Sequence, residues 1–305
     1  MEKISKFFGE KVLPFFNEKV KPLFTNKKTL IPIAAGGAVL ICVFIACYIG
    51  LIRPYNEATE AFESAVATVT SINNELETAL EAAKTMLNND KPLEEATATE
   101  LSDAIAQAED AKRIIPEKPS KTDEILVAAE ELSKPLSYSE ELTVLSEKTE
   151  LFKTSVQRMN QVTAPTSEFI AERLKDVETV TGVAAVTEDN DPNGNLNKPG
   201  FYIAAVYFES SLVTDKYYKN NKNILDKGTS GGGQVEVYAT AEEAQQRDEY
   251  LASFDGTILA SGSHSVLGTC VIRVSDKLSA SKKKRLETAI YNKLTEIIES
   301  PSTVE

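Results

Sequence analysis

The chain has 305 residues, which is enough for one or two folded domains, and its hydrophobic content of 42% is ordinary for folded material. Its formal net charge is -13 at pH 7, and the part after residue 53 is net acidic. Because contact with nucleic-acid phosphates needs a basic surface, this balance argues against a nucleic-acid partner.

Residues 1–29 differ from the rest of the chain, since they carry seven lysines against three glutamates. The segment FFGEKVLP is followed directly by FFNEKVKP, so apolar residues recur at helical spacing with charges between them. This pattern predicts a basic, cytoplasmic amphipathic segment that lies on the membrane surface. A docking helix for a cytoplasmic partner is the alternative.

Residues 30–52 form the uncharged run LIPIAAGGAVLICVFIACYIGLI. A helix needs about 20 apolar residues to cross a bilayer, so the run predicts a single transmembrane helix. Lysines precede the run and an acidic chain follows it. By the positive-inside rule, the N-terminus is then cytoplasmic and residues 53–305 are extracytoplasmic at the cell membrane.

Two other interpretations of the apolar run agree less well with it. A cleaved signal peptide has a shorter apolar core of about 7–15 residues and a small-residue cleavage site. A lipoprotein would carry its lipid on Cys47, but the apolar residues YIGLI follow Cys47 where such a protein usually turns polar. Lipidation at Cys47 stays open.

The sequence pattern of residues 53–163 predicts an all-α helical bundle or stalk. A heptad-like series of three- and four-residue steps is formed by Phe62, Ala65, Val69, Ile72, Leu76, Ala79, Ala83 and Met86. Further helices are predicted near residues 93–113, 122–133 and 137–160. The first of them has an apolar stripe of Leu101, Ala104, Ile105 and Ala108. The segments ELETALEAAKTML and ELSDAIAQAEDAKR resemble the small FIVAR-type helical modules of Gram-positive cell-surface proteins. That resemblance implies a spacer or a ligand-binding stalk, either a monomeric bundle or an intermolecular coiled coil.

Residues 164–300 predict an α+β domain with a mainly antiparallel sheet and helices on one face, followed by a tail at 301–305. The predicted strands are TVTGVAAVTE, FYIAAVYFES, GQVEVYAT, GTILASG and GTCVIRVS, with helices near 167–176, 241–254 and 279–298. Ser167 is the predicted cap of the first of these helices. The domain resembles the outer module of Gram-positive single-span membrane proteins in its stretches VTGVAAVTEDNDPNGNLNKPG and VEVYATAEEAQQRDEYLASFDGTILASG. The resemblance implies no particular activity.

Few residues in this domain indicate catalysis. His264 is the only histidine and stands among serines in SGSHSVLGT, where the flanking glycines predict a turn between strands. A nucleophilic triad needs a base and an acid in register, which this stretch does not supply. Cys270 lies in the apolar stretch TCVIRV, which predicts a buried free thiol. The sequence therefore predicts no catalytic residue and no enzyme.

The loop TEDNDPNGNLNKPG at residues 187–200 matches the start of the D-x-[DN]-x-[DN]-G calcium pattern. It predicts a calcium site whose oxygen ligands are Asp189, Asp191, Asn193, Asn195 and Asn197. The pattern is incomplete, because Gly200 stands where an EF-hand has its bidentate glutamate. The alternative is a turn, since Asp, Asn, Pro and Gly are also the residues that long turns use.

Together these features predict a membrane-anchored surface protein with a structural or partner-binding role, stabilised by calcium if the loop binds it. The predicted partners are the membrane and a cell-wall polymer or surface protein, and the oligomeric state is left open. A membrane sensor or secretion accessory protein and an extracytoplasmic enzyme are the two alternative functions.

Overall fold

The computed structural model describes residues 40–219, 223–257 and 260–298. The predicted amphipathic segment at 1–29, the first ten residues of the predicted span and the predicted tail at 301–305 lie outside the described residues. By its internal contacts the chain divides into two compact units. The first is Met1–Glu77 with Lys112–Tyr138, and the second is Thr78–Ala111 with Ser139–Glu305. The predicted domain boundary between residues 163 and 164 does not coincide with any boundary between these units.

One helix among the described residues, Leu40–Asn89, is long and apolar enough to span a membrane. It includes residues 40–52 of the predicted transmembrane run, with a π-helical turn at Tyr48–Ile52. Large apolar side chains such as Leu40 and Phe44 are exposed along it. From Arg53 to Asn89 it is a regular α-helix, α1.

The remaining helices of the predicted bundle are α2 (Glu95–Ala111), α3 (Thr122–Leu132) and α4 (Ser139–Gln161). Their positions agree with the predicted helices to within a few residues. The stripe predicted for α2 is confirmed, because its four apolar members are all buried: Leu101, Ala104, Ile105 and Ala108.

In the first unit, the apolar stripe of α1 packs against α3. Phe62 and Val69 of α1 share a core with Ile125, Ala129 and Leu132 of α3. The predicted stripe needs correction beyond Val69. Its members Ile72, Ala79 and Met86 are only half-buried, whereas Leu76 and Ala83 are buried as predicted. Asn73 and Leu80 are buried although they lie outside the predicted stripe.

The buried Asn73 is satisfied by a polar network within the first unit. Its Oδ1 accepts a hydrogen bond from Tyr138 Oη at 2.7 Å, and its Nδ2 donates to the Arg113 carbonyl at 2.9 Å. Tyr138 Oη in turn accepts from the Arg113 backbone N–H at 2.7 Å. A polar residue therefore occupies a core position because all of its hydrogen-bonding groups find partners.

In the second unit the end of α4 joins the core of the sheet. Val162 is fully buried in that core, and its carbonyl accepts a hydrogen bond from the Thr269 N–H at 2.9 Å. Ala164 N–H donates to the Thr269 hydroxyl at 2.8 Å. These contacts explain why residues 139–163 belong to the same compact unit as the sheet.

The sheet begins after α5 (Ser167–Lys175) with β1 (Val180–Ala185) and β2 (Ala204–Ser210). Two short helices, α6 (Lys216–Lys219) and α7 (Ile224–Lys227), and a 3₁₀ turn (Gly228–Gly231) lead to β3 (Gly232–Val237). Then follow α8 (Ala241–Ala252), β4 (Ser263–Leu267), β5 (Cys270–Val274) and α9 (Ala280–Thr295).

The strands are ordered β1-β2-β3-β5-β4, and every neighbouring pair is antiparallel. The predicted α+β class and antiparallel sheet are therefore confirmed. The expectation of helices on one face is wrong. α5 and α9 pack on one face against residues such as Val206 and Ile272, while α8 packs on the opposite face against Ala205 and Val271.

Two local predictions in this domain are also wrong. The described residues of the segment GTILASG contain no strand, and the strand is the next segment, β4, in which His264 lies. The helix cap before α5 is Thr166 rather than Ser167, because the Thr166 hydroxyl accepts the Phe169 N–H. The serines of β4 and the flanking Gly262 and Gly268 are typical of a turn, yet β4 gains its backbone hydrogen bonds from β5.

The glycines of GTSGGG lie partly within the sheet rather than in a free loop. Gly232 and Gly233 begin β3. A Cβ on Gly233 would lie 2.4 Å from the ring of Phe208, so that ring packs directly over the glycine backbone. This close approach requires glycine.

Candidate ligand-binding site

A row of polar side chains crosses four strands on the face that carries α8. In the strand register Tyr207 pairs with Gln234, Gln234 with Arg273, and Arg273 with His264. Residues paired directly across neighbouring strands project from the same face of a sheet. The row therefore brings together side chains that are up to 66 positions apart in the sequence.

Glu236 lies two residues from this row, on the same face, and is completely buried. Arg247 donates to both of its oxygens, from Nε at 2.8 Å and from Nη2 at 3.1 Å. Arg273 Nη1 donates at 2.7 Å, and the Tyr238 hydroxyl donates at 2.9 Å. A buried carboxylate is stable only with such partners.

These partners also fix the ionisation of the cluster. Burial alone would raise the pKa of the Glu236 carboxyl, but the hydrogen bonds and positive charges of Arg247 and Arg273 outweigh burial and lower it. Burial, with the adjacent Glu236 charge, raises the pKa of Tyr238. The cluster thus places two guanidinium groups around one carboxylate.

Helix α8 supplies Arg247 to this cluster. The helix begins where the Thr240 hydroxyl accepts the Glu243 N–H at 3.2 Å, and Glu243 reaches back to the Ala239 N–H at 3.2 Å. Ala244 and Leu251 of α8 are buried against the sheet. Because Arg247 lies between them in sequence, the same packing holds its guanidinium over Glu236.

His264 attaches α8 and the following turn to β4. Its Nδ1 is 2.6 Å from Asp248 Oδ1, and its Nε2 is 3.4 Å from Asp255 Oδ2. Both ring nitrogens therefore face carboxylates rather than a serine hydroxyl. The arrangement is a positioning contact and not the serine–histidine pair that a nucleophilic triad requires.

A cavity of about 850 Å³ opens between α8 and the loop that precedes β2. This volume lies within the range of about 300–1,000 Å³ that is typical of small-molecule sites. Tyr250 of α8 and Phe254, in the turn that follows α8, meet edge to face with ring centroids 5.1 Å apart. The aromatic and charged residues that line the cavity are Phe201, Tyr202, Tyr207, Tyr238, Glu243, Arg247, Tyr250, Phe254 and Arg273.

The site keeps hydrogen-bond donors that the protein itself does not use. Arg273 Nε and Gln234 Nε2 are buried without a hydrogen-bond partner within the described part of the chain. Both nitrogens have almost no accessible surface, so a ligand in the cavity would contact the guanidinium of Arg247 and the exposed part of Arg273, which line it. The site can accept a ligand that brings acceptor atoms and a surface for aromatic contact.

The loop predicted to bind calcium forms one rim of this cavity. Asn193 and Asn195 line the cavity, and Asn193 Nδ2 donates to the Tyr207 hydroxyl at 3.2 Å. Asn197 has a left-handed backbone with φ of 61°, and its amide donates to the Glu188 carboxylate at 3.4 Å. Asp189 is exposed. Two of the five predicted ligands, Asn193 and Asn197, thus hydrogen-bond to different partners, Tyr207 and Glu188.

Asp191 holds the loop together. Its Oδ1 accepts from the Asn193 N–H at 2.9 Å and the Tyr202 hydroxyl at 2.7 Å, and its Oδ2 accepts from the N–H groups of Asn195 at 2.5 Å and Leu196 at 2.7 Å. Burial opposes ionisation, but these hydrogen bonds outweigh it and lower the Asp191 pKa to about 2. A carboxylate has about four acceptor positions, so calcium would have to displace one of these donors.

Calcium binding by this loop stays a prediction. Among residues 40–219, 223–257 and 260–298, no three His, Cys, Asp or Glu side chains converge as they would around a metal. With two carboxylates, the expected Kd is about 0.1–1 mM, the range of extracellular modules. At ten times Kd, calcium should then stabilise the protein by about 1.4 kcal/mol.

The test compares thermal unfolding of the full-length protein in millimolar calcium and in chelator. We expect a higher Tm in calcium than in chelator. Asp189→Ala should remove that difference, because it deletes a predicted calcium ligand at an exposed position and leaves the hydrogen bonds of Asp191 in place. Asp191→Ala should lower the Tm in both conditions, since it removes four hydrogen bonds. An equal Tm of the wild-type protein in calcium and chelator would identify the loop as a turn.

Sequence reasoning did not find the cluster of Glu236, Arg247 and Arg273. A signal was present, because VEV and VIRV place a charge between apolar residues in the middle of strand-like segments. That alternation indicates a polar sheet face, but it does not show which charges meet. By contrast, the predicted buried thiol is confirmed, since Cys270 is free and buried, and burial raises its pKa to about 12.

Comparisons with known proteins found no family model that matches the chain, and no match among curated proteins or solved structures. The functional argument therefore depends on the site itself.

Proposed function

We propose that this protein is a single-span membrane protein whose C-terminal domain binds a ligand or partner molecule on the extracytoplasmic side. The observation that carries the proposal is the cavity beside the Glu236 cluster, with its aromatic walls and the two arginines that line it. Concave, largely preformed cavities with a few convergent polar groups are the usual form of ligand sites.

The membrane part of the proposal is supported by the apolar helix that begins at Leu40 and by the lysines that precede residue 30. The positive-inside rule places the lysine-rich end in the cytoplasm and the sheet domain outside. In that position the cavity meets wall polymers, surface proteins or solutes from the medium.

A binding role agrees better with the geometry than catalysis does. Both nitrogens of His264 face carboxylates, and the Glu236 carboxylate is buried behind two arginines. A general acid or base has to reach its substrate within hydrogen-bonding distance, and neither group is placed to do so.

One labelling experiment tests both orientation and binding. Tyr250→Cys places a thiol at the mouth of the cavity, and Glu172→Cys places one on exposed α5, on the opposite face of the sheet. We expect a membrane-impermeant maleimide to label both positions on intact cells. We also expect position 250 to react more slowly on cells than in purified protein, relative to position 172, because a ligand occupies the cavity.

Labelling of the wild-type protein measures the background reaction of the maleimide with the protein's own cysteines. If neither position reacted until the cells were opened, the proposed orientation would be wrong. The decisive quantity is the labelling rate at position 250 divided by the rate at position 172. If this ratio were the same on cells and in purified protein, the cavity would not be occupied and the binding function would be contradicted.

A further inference from the structure

We propose that the cavity binds the carboxylate of a small organic monoanion, with the ring or apolar body of the ligand against the aromatic walls. Arg247 and Arg273 are the residues that would recognise the carboxylate. This inference rests on the proposed binding function and names the chemical class of the ligand.

The first argument is the supply of donors. Arg247 uses Nε and Nη2 on Glu236, and Arg273 uses Nη1, so neither guanidinium spends all five of its N–H donors within the cluster. Both side chains line the cavity, with 25% of Arg247 and 11% of Arg273 exposed. A planar guanidinium fork matches a carboxylate better than any other common acceptor except phosphate.

The second argument is charge. Two guanidinium groups share the single carboxylate of Glu236, so the cluster carries one positive charge in excess. A monoanionic ligand neutralises that excess, whereas a phosphate dianion exceeds it. Glu243 also lines the cavity and opposes an anion, and Asp191 lies behind Tyr202. These two carboxylates further disfavour a doubly charged ligand.

The third argument is the shape of the walls. Tyr250 is 57% exposed although it is a large aromatic residue, and it meets Phe254 edge to face. The Arg247 guanidinium lies 5.5 Å from the centre of the Tyr250 ring, so the charged and aromatic parts of the site adjoin. A ligand that carries a carboxylate on or near a ring can therefore contact both at once.

The test uses calorimetric titration of the full-length protein in a non-ionic detergent at low salt. The probes are N-acetylphenylalanine, its uncharged amide, glucuronate and inorganic phosphate. We expect at least one of the two carboxylates to bind about tenfold more tightly than both the amide and phosphate, which corresponds to the loss of one charge-assisted contact. Whichever of N-acetylphenylalanine and glucuronate binds more tightly indicates whether the natural ligand is an aromatic acid or a sugar acid. Equal affinity for the amide or for phosphate, or no binding by either carboxylate, would overturn the proposal.

Three substitutions locate the binding. Arg247→Gln should weaken carboxylate binding by about tenfold or more, while Arg285→Gln, which removes the same charge from exposed α9 on the opposite face, should leave it unchanged. Glu243→Gln removes a repulsive charge and should strengthen carboxylate binding, about two- to threefold. Tyr250→Ala should weaken it severalfold, about as expected for an aromatic contact.

Melting curves establish that each variant is folded. If Arg247→Gln does not fold, the test depends on Glu243→Gln and Tyr250→Ala, because the side chains of Glu243 and Tyr250 are not buried. Unchanged carboxylate affinity in both would overturn the proposal. If position 250 is occupied on cells but no carboxylate probe binds, the ligand class is wrong and the binding function stands.

Discussion

Replacing Glu236 by alanine is expected to lower the free energy of unfolding by about 3–5 kcal/mol. Breaking a buried ion pair by removing one partner has a cost of this size, because the other charge stays buried without compensation. Here the substitution removes the acceptor of both Arg247 and Arg273, and of the Tyr238 hydroxyl as well. The measurement is denaturant unfolding of the full-length protein at pH 7.

The control is Glu249→Ala, which removes a carboxylate from an exposed position on α8. Substitutions of this kind usually change stability by less than about 0.5 kcal/mol. A loss for Glu236→Ala no larger than the loss for Glu249→Ala would mean that the two arginines find water or other acceptors, and the cluster would not be a stabilising element.

The same cluster has a pH dependence with a definite sign. The pKa of Glu236 is lower in the folded protein than its usual value of 4.5. Its contribution to stability is therefore fully present above about pH 4.5 and is lost as the pH falls through the folded pKa. Glu236→Gln cannot titrate, so its stability should fall less steeply below pH 4.5 than that of the wild-type protein.

The sequence predicted features that depend on local periodicity and missed features that depend on pairing at a distance. The stripe of α2 was predicted correctly because Leu101, Ala104, Ile105 and Ala108 repeat within a single helix. The polar row on the sheet depends on β3 pairing with β5 rather than with the nearer β4. The pattern of residues within one strand does not indicate which other strand pairs with it.

The same reasoning explains the partial success at the α1 stripe. The three- and four-residue steps of α1 are real, but Asn73 enters the core because Tyr138 and Arg113 satisfy its amide, and both lie at least 40 residues away. In the acidic loop, the spacing of Asp and Asn predicts calcium ligands, and this stays a prediction. The structure shows that Asp191 binds the backbone of its own loop and Tyr202.

Leu76→Asp is the second substitution with a large expected effect. Leu76 is completely buried and lies three residues after Asn73, within the first compact unit. Truncation of a buried leucine to alanine costs about 2–5 kcal/mol. A carboxylate at this position adds the cost of a buried charge, so we expect a total of about 5 kcal/mol or more. A loss of this size approaches the entire stability of a small domain.

The measurement is hydrogen exchange of the full-length protein, followed by mass spectrometry of peptides from residues 112–138. These residues form the first unit together with the N-terminal part of the chain, and Ile125, Ala129 and Leu132 pack against α1. In Leu76→Asp we expect their amides to lose protection, because the helix they pack on can no longer bury its stripe. Thr70→Asp is the matched control, since it adds the same charge to an exposed position of α1. Equal protection of residues 112–138 in the two variants would show that Leu76 does not belong to the core that holds this unit together.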